Sequence, residues 1–211
     1  PYVFDLTGYK TIFHDKGFFS SVGVSLFITV VGTFINMFLS VTGAYVLSRK
    51  QLVGRRIFLG MIVFTMLFSG GMVPSFLLIR SLGLMNTRWS VVLSCLMSTY
   101  YAVLVTNFIR SLPVSLLESA RLDGASETTI LLRIVLPLSK PIIATIALFY
   151  TVDKWNEWWN SMLYINRTEM YPLQLILQNI INTYQSAEQR NIASADALTH
   201  LKTFSMGIKM A

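Results

Sequence analysis

The chain has 211 residues, of which 54% are hydrophobic and 13% are charged, and its mean hydropathy is +0.58. An ordinary globular protein carries about 25% charged residues, so this composition excludes that class and indicates an integral membrane protein. The net charge of +7 does not indicate nucleic-acid binding, because the basic residues lie in loops beside apolar runs and form no single patch.

The N-terminal segment and the single cysteine carry no targeting or redox signal. Residues 1–16 lack the basic region and apolar stretch of a signal peptide, so we expect a loop there. Cys95 lies alone inside an apolar run, which excludes a disulfide framework and a thiol–metal cluster and favours a small packing residue.

Apolar windows without charge mark the predicted membrane spans, because a spanning helix needs about 20 apolar residues. Three windows carry no charge at all, at 17–48, 57–79 and 89–109. A fourth opens at Pro141 but is interrupted by charges at 153–157, so it spans only if those charges find partners. The predicted spans are therefore residues 20–47, 57–79, 90–109 and 141–164, each approximate.

Small residues and helix breakers add detail to the first two spans. The second span contains Gly70, Gly71 and Pro74, which predict a break that could be a packing kink or a gate. The first span is rich in small residues, which favour close helix contact. They are Gly23, Ser25, Gly32, Ser40, Gly43 and Ala44.

The short loop 48–56 sets the predicted orientation. It holds four basic residues and no acidic residue, which is typical of a cytoplasmic loop. Residues 110–140 are then cytoplasmic as well, whereas the N-terminal segment, the loop 80–88 and residues 166–203 face the opposite side. Bases are also scattered on that side, so the dense short loop decides the prediction.

Residues 110–140 form a polar segment with seven charges between two apolar windows. Ser115 and Glu118 have the spacing of a capping box, so a helix is predicted to begin near Ser115 and to end at Asp123-Gly124. A second helix is predicted from Ser126 to Val135. Local rules leave two interpretations open, an ordinary capped turn or a surface that binds a partner.

A longer match favours the partner. Glu118-Ser-Ala-Arg-Leu-Asp-Gly-Ala125, followed by Ile134-Val-Leu-Pro137 and Pro141, resembles the EAA loop of the permease subunits of binding-protein-dependent ABC importers. Three further segments are similar to the carbohydrate-importing, maltose-permease-like branch: Leu82–Thr87, Phe108–Pro113 and Trp155–Trp158. Ser119 stands where that family usually has alanine, a small-for-small change.

The resemblance implies that the hairpin couples the permease to an ATPase. In such importers the EAA helices sit in a cleft of the ATPase subunit, whose dimer closure drives the permease pair between inward-facing and outward-facing states. Glu118 would contact the ATPase, Gly124 would allow the bend between the helices, and Leu136-Pro137 would join the hairpin to the next span. The implied coupling residues are Glu118, Ser119, Ala120, Asp123, Gly124, Ala125, Leu136 and Pro137.

The resemblance also implies a fold, a location and a set of partners. The fold would be an all-α polytopic transmembrane bundle of the type I importer kind, with a coupling loop at 113–137 and four of six spans in this chain. The other two spans would precede Pro1 and begin near Lys202. The expected partners in the bacterial cytoplasmic membrane are an ATPase dimer, a second permease subunit of different sequence, an extracytoplasmic solute-binding protein and lipid.

No cofactor, metal ligand set or catalytic residue is predicted. The chain lacks a glycine-rich phosphate loop ending in Lys-Ser or Lys-Thr, so ATP hydrolysis is expected in a separate subunit. An intramembrane enzyme would need a nucleophile–base pair or a metal set, whereas His14 and His200 lie in predicted loops and Cys95 has no obvious partner.

The charged and aromatic cluster in the fourth span is a candidate for the translocation path. Charges at membrane depth usually face a bundle interior or a water-filled cavity, and aromatic faces beside polar groups suit sugar rings. The alternative is an aromatic belt at the membrane interface. The path candidates are Asp153, Trp155, Asn156, Glu157 and Trp158. An ion-coupled secondary transporter, the competing function, would have only this cluster as its relay.

Overall fold

The computed structural model describes residues 16–49, 51–183 and 185–189. No β-strand occurs among them, which confirms the predicted all-α class. The helices are α1 (Lys16–Ser48), α2 (Arg55–Leu67), α3 (Met72–Ser81), α4 (Arg88–Leu93), α5 (Thr99–Ser111), α6 (Val114–Leu122), α7 (Glu127–Leu138), α8 (Lys140–Trp155), α9 (Trp159–Tyr164) and α10 (173–183), with a 3-10 turn at Thr168–Met170.

The long helix α1 is the element on which the others pack. Its most extensive contacts are with α5 and α8. Ser40 and Ala44 are buried in these contacts, and Ser25 is buried near the start of α1, where its hydroxyl accepts from the Leu173 N–H, which confirms close packing at these small residues. Gly23 is different, because a side chain there would meet nothing within 4 Å.

Two separate apolar clusters lie along α1. One joins Ala44 and Tyr45 of α1 to Val105 and Ile109 of α5, to α7 and to α8. The other lies near the start of α1, where Val24 and Ile28 meet α4 and Ile165. The α6–α7 hairpin therefore packs against the last turns of α1, while α4 packs against its first half.

The predicted spans are more interrupted than uniform apolar windows suggested. Among the described residues only Gly17–Ser48 is a helix long and apolar enough to cross a membrane unaided; treating each bent helix pair as one span raises the number to four. The pair α2–α3 is bent by 112°, α5–α6 by 73° and α7–α8 by 82°. The position of these segments in a membrane stays a prediction.

The breaks fall at identifiable backbone positions. Between α2 and α3, Gly71 adopts φ 88°, a conformation that favours glycine, so the predicted break at Gly70-Gly71 is confirmed. The predicted third span, 90–109, is not one helix, because α4 ends at Leu93 and α5 begins at Thr99. The predicted fourth span is likewise divided between α8 and α9.

Some expectations fall elsewhere or outside the described residues. The segment 166–203, predicted as an external loop, contains a helix at 173–183. The N-terminal loop before Lys16, His14, His200 and the two additional spans expected beyond the four lie outside the part of the chain that the structure describes.

Candidate functional site

The bend of the predicted coupling hairpin is a helix C-cap built on glycine. Helix α6 ends at Leu122, and Gly124 adopts φ 79°. The Gly124 N–H donates to the Arg121 carbonyl and the Ala125 N–H donates to the Ala120 carbonyl, each with an N···O distance of 3.0 Å. This pair of bonds is the Schellman motif, so the predicted helix end at Asp123-Gly124 is confirmed.

Helix α7 begins with a side-chain cap. The Ser126 hydroxyl accepts a hydrogen bond from the Thr129 N–H at 3.3 Å, which satisfies a backbone donor of the first turn. Since Ala125 alone separates Gly124 from this cap, both ends of the turn are fixed by hydrogen bonds. The predicted start of the second helix at Ser126 is confirmed.

One local prediction for the hairpin was wrong. Helix α6 begins at Val114, close to the predicted start near Ser115, but Pro113 occupies the N-cap and makes no side-chain cap bond, so the capping box of Ser115 with Glu118 does not form. Leu136 and Pro137 lie in the last turn of α7, which ends at Leu138, and the bend to α8 lies at Ser139. A π-helical turn at Leu131–Val135 immediately precedes Leu136 and Pro137.

Glu127 attaches the hairpin to the end of α1. Its carboxylate accepts hydrogen bonds from the Tyr45 hydroxyl at 2.5 Å and from the Arg121 Nε at 3.1 Å, and it pairs with the Arg49 guanidinium. The same guanidinium lies 4.2 Å from the centre of the Tyr45 ring. Tyr45, Arg49, Arg121 and Glu127 thus form one cluster, called here the Glu127 cluster, which joins α1, α6 and α7.

The Glu127 cluster lies at the surface of the protein. The Arg49 side chain is 16% exposed and that of Glu127 is 58% exposed. Burial lowers the pKa of the Arg49 guanidinium, an effect that the Glu127 charge opposes. Arginine nevertheless stays charged under all physiological conditions, so Arg49 and Glu127 form an ion pair whenever Glu127 is ionised.

The hairpin has a buried side and an exposed side. Ile130 and Val135 of α7 are fully buried in the apolar cluster at the end of α1, and Leu117 and Ala120 of α6 pack against it. The predicted coupling residues Glu118, Ser119, Asp123 and Gly124 lie on the exposed side, while Ala120 and Ala125 are half-buried.

Apolar side chains also point outward from α6. Leu122 is 88% exposed, and Val114 and Leu116 are about half exposed. A surface that places these residues beside Glu118 and Asp123 offers both apolar contact and charge to a binding partner.

The predicted path residues take part in local hydrogen bonds. Asp153 accepts from the Tyr101 hydroxyl at 2.9 Å, which links α8 to α5. Glu157 accepts from the Asn160 N–H at 2.9 Å and so caps the start of α9. Asn156 donates to the Val152 carbonyl. Asp153 and Asn156 are exposed, whereas Trp155, Glu157 and Trp158 are half-buried.

The sequence-based list of path residues left out Lys154, which lies between Asp153 and Trp155. Its side chain is only 4% exposed, and its Nζ donates to the Cys95 carbonyl at 3.1 Å. Cys95 itself is exposed at the interruption between α4 and α5, so the prediction of a packing residue was wrong. Gly32 was the available signal, because its missing Cβ makes room for the Lys154 stem.

No metal site accompanies these residues. Within the described part of the chain, no three His, Cys, Asp or Glu side chains are grouped as metal ligands.

The known family described as "binding-protein-dependent transport system inner membrane component" matches residues 17–158, which include the whole hairpin. The chain belongs to this family. The resemblance stated from the EAA-like loop is thereby confirmed, as is the prediction of a transport component rather than an enzyme. This family membership does not favour an ion-coupled secondary transporter.

Individual relatives agree with this assignment of the inner membrane component. Protein LplC of Bacillus subtilis (strain 168) is 45% identical over 85% of this chain and 61% of that protein. The permease protein YtcP of the same strain, named for a polygalacturonan/rhamnogalacturonan transport system, is 44% identical over 86% of this chain and 63% of that protein.

A solved structure is also similar to this inner membrane component. A bacterial ABC transporter involved in the import of the acidic polysaccharide alginate matches with a TM-score of 0.80 and 36% identity, over 83% of this chain and 62% of that chain. The chain spans 61–63% of the length of these three relatives.

Proposed function

We propose that this chain is the membrane-spanning core of a permease subunit in an ATP-driven, binding-protein-dependent importer of carbohydrate. The observation that carries the proposal is the α6–α7 hairpin, whose turn is fixed at both ends and whose exposed side combines Glu118 with the apolar Leu122. Family membership supports the same reading.

The hairpin is suited to transmit force because it is internally rigid and firmly attached. Its turn is closed by the Schellman bonds of Gly124 and Ala125 and by the Ser126 cap. Its apolar side is buried against α1, and Glu127 adds polar bonds to Tyr45 and Arg49. A partner that pushes on α6 therefore moves α7 and α8 with it.

The partners follow from this role. An ATPase dimer would bind the exposed side of the hairpin through Glu118, Ser119, Asp123 and Leu122. A second permease subunit, of different sequence, would complete the pathway, and an extracytoplasmic binding protein would deliver the solute. The chain would be a multi-pass protein of the bacterial cytoplasmic membrane, with the hairpin in the cytoplasm, as the four bases of the 48–56 loop favour.

The substrate is proposed to be an oligosaccharide derived from a polysaccharide. Two relatives are named for transport of polygalacturonan/rhamnogalacturonan and of alginate, which supports this class. Asp153, Trp155, Asn156, Glu157 and Trp158 are proposed to line part of the pathway. The exposed Asp153 and Asn156 would face sugar hydroxyls, and the neighbouring indoles would face the rings.

Substitution of Glu118 tests the coupling role. We expect Glu118→Ala to weaken capture of the ATPase subunit about tenfold or more, since a hydrogen bond to a charged group contributes roughly 1.5–3 kcal/mol. ATP-dependent uptake should fall in parallel, while the amount of protein in the membrane stays unchanged. The measurements are co-purification of the ATPase and uptake of labelled oligosaccharide by cells or vesicles.

Glu169→Ala is the matched control, because Glu169 is an exposed carboxylate in the 3-10 turn, away from the hairpin. It should retain full capture and uptake. Normal uptake in the Glu118 variant would reject the coupling role, and uptake that an uncoupler abolishes without any need for the ATPase would reject the importer itself.

A further inference from the structure

The interruption between α4 and α5 places non-helical backbone inside an apolar window. Residues 94–98 are not helical, although the window 89–109 contains no charged residue. Backbone N–H and C=O groups without partners are costly at membrane depth, so such a break persists only where protein groups or water bind them. The question is which groups bind this backbone.

Two side chains of α8 bind it. The Lys154 Nζ donates to the Cys95 carbonyl at 3.1 Å, and the Tyr150 hydroxyl accepts from the Ser98 N–H at 3.0 Å. Residues 150 and 154 are one helical turn apart, so both side chains leave α8 on the same face. Tyr150 is 2% exposed and Lys154 is 4% exposed.

Helix α1 holds both side chains in place. The Ser40 hydroxyl lies 2.7 Å from the Tyr150 hydroxyl. At Gly32, a Cβ atom would lie 3.1 Å from Lys154 Cδ and 3.2 Å from Cε, so only glycine leaves room for the lysine stem without a shift. The arrangement therefore involves three elements: α1, α8 and the interrupted span.

The acidic neighbours of Lys154 are bound elsewhere. Asp153 binds the Tyr101 hydroxyl and Glu157 binds Asn160. In the described chain no carboxylate lies within 4.0 Å of the Lys154 amine. The contact that fixes this amine is thus the carbonyl of the interrupted segment.

Helix α8 also connects this contact to the hairpin. It begins at Lys140, directly after α7 ends at Leu138, and runs without a break to Trp155. A displacement of the hairpin therefore moves the start of α8, and Tyr150 and Lys154 lie in its last two turns.

We propose that Tyr150 and Lys154 are positioning residues that hold the interruption at 94–98, and that they carry movement of the hairpin to this segment. The first part concerns the packing of this chain alone. The second part rests on the proposed importer function.

Amide hydrogen exchange of the assembled transporter in nanodiscs tests the first part. We expect Lys154→Met and Tyr150→Phe to speed exchange in peptides covering 94–98 about tenfold, as loss of one hydrogen bond to a buried group predicts. Exchange in α6 should stay unchanged. Lys140→Met, at the exposed start of the same helix, is the control and should leave 94–98 unaffected.

Tyr150→Phe removes one hydroxyl and keeps the ring, so it remains informative if Lys154→Met does not assemble. Gly32→Ala supplies a third test, because it crowds the lysine stem without changing a polar group, and Gly23→Ala on the same helix is its control. Unchanged exchange at 94–98 in Tyr150→Phe and in Gly32→Ala would overturn the first part.

The second part is tested by the number of solute molecules imported per ATP hydrolysed. Tyr150→Phe and Lys154→Met should retain ATPase capture and lower this ratio at least about threefold, whereas Lys140→Met should not. A normal ratio in both variants would overturn it. Wild-type protein without ATP-dependent uptake would refute the proposed function instead, and the exchange experiment would still test the positioning role.

Discussion

A single carboxylate, that of Glu127, makes the polar contacts that attach the hairpin to the end of α1. It binds one tyrosine and two arginines from two other elements, and Arg49 also lies over the Tyr45 ring. Arg49 lies 78 residues before Glu127 in the chain, Tyr45 lies 82 residues before it, and Arg121 lies six residues before it. The sequence alone did not single out Glu127, because pairs as distant as those with Tyr45 and Arg49 leave no local pattern.

Neutralising Glu127 should loosen the hairpin without unfolding the protein. The side chain is largely exposed, so we expect Glu127→Gln to cost only about 1 kcal/mol, equivalent to about fivefold more frequent opening. Limited digestion with trypsin, which cleaves after Arg121 when the hairpin opens, should then proceed about fivefold faster at this site than in the wild type. Glu169→Gln should leave the cleavage rate unchanged, and an unaltered rate in Glu127→Gln would show that the cluster does not hold the hairpin.

At the scale of helices, local chemistry predicted the hairpin turn well and the long spans less well. Gly124 and Ser126 could be predicted because helix caps depend on neighbouring residues. Gly70-Gly71 likewise predicted the break before α3. The interruption at 94–98 could not be predicted from hydropathy, which describes only how favourably each residue moves from water into lipid. This break depends instead on hydrogen bonds from Tyr150 and Lys154 of another helix.

The same reasoning explains the capping box that does not form. The Ser115–Glu118 spacing fits a capping box, but Pro113 already starts the helix and leaves Ser115 inside it. Pro137 lies two residues after the π-helical turn at Leu131–Val135, and the helix continues through it to Leu138. The bend therefore falls at Ser139.

The hairpin turn should require glycine at position 124 because of its backbone conformation, and not because a side chain there would clash with neighbouring atoms. A Cβ at Gly124 would meet no atom within 4 Å, but φ is 79°, which a β-branched residue adopts only with strain of roughly 1–3 kcal/mol. We expect Gly124→Val to lower ATP-dependent uptake several-fold while membrane insertion stays normal.

Gly124→Asn is the matched control, because asparagine tolerates this conformation better than other side chains. It should retain most of the uptake. Equal uptake by the valine variant and the wild type would contradict the role of the turn, and equal loss in both variants would point to a need for close approach instead.

At the scale of the whole molecule, α1 connects two packing regions. One end joins the hairpin through the Ala44–Tyr45 cluster, and the middle contacts Lys154 and Tyr150 of α8 through Gly32 and Ser40. The exposed surface of α1 remains apolar at Phe19, Phe34 and Phe38, which suits lipid or a neighbouring subunit rather than water. The architecture therefore places the hairpin at one end of a bundle whose outer surface is apolar.

The most direct test of this account asks where the tip of the hairpin lies and what covers it. Leu122, at 88% exposure, is replaced by cysteine in a Cys95→Ala background, and a membrane-impermeant maleimide is added to inside-out vesicles with and without the ATPase subunit. We predict rapid labelling that the bound ATPase blocks, with no labelling in right-side-out vesicles. Labelling from the external side, or labelling that the ATPase does not reduce, would contradict the account.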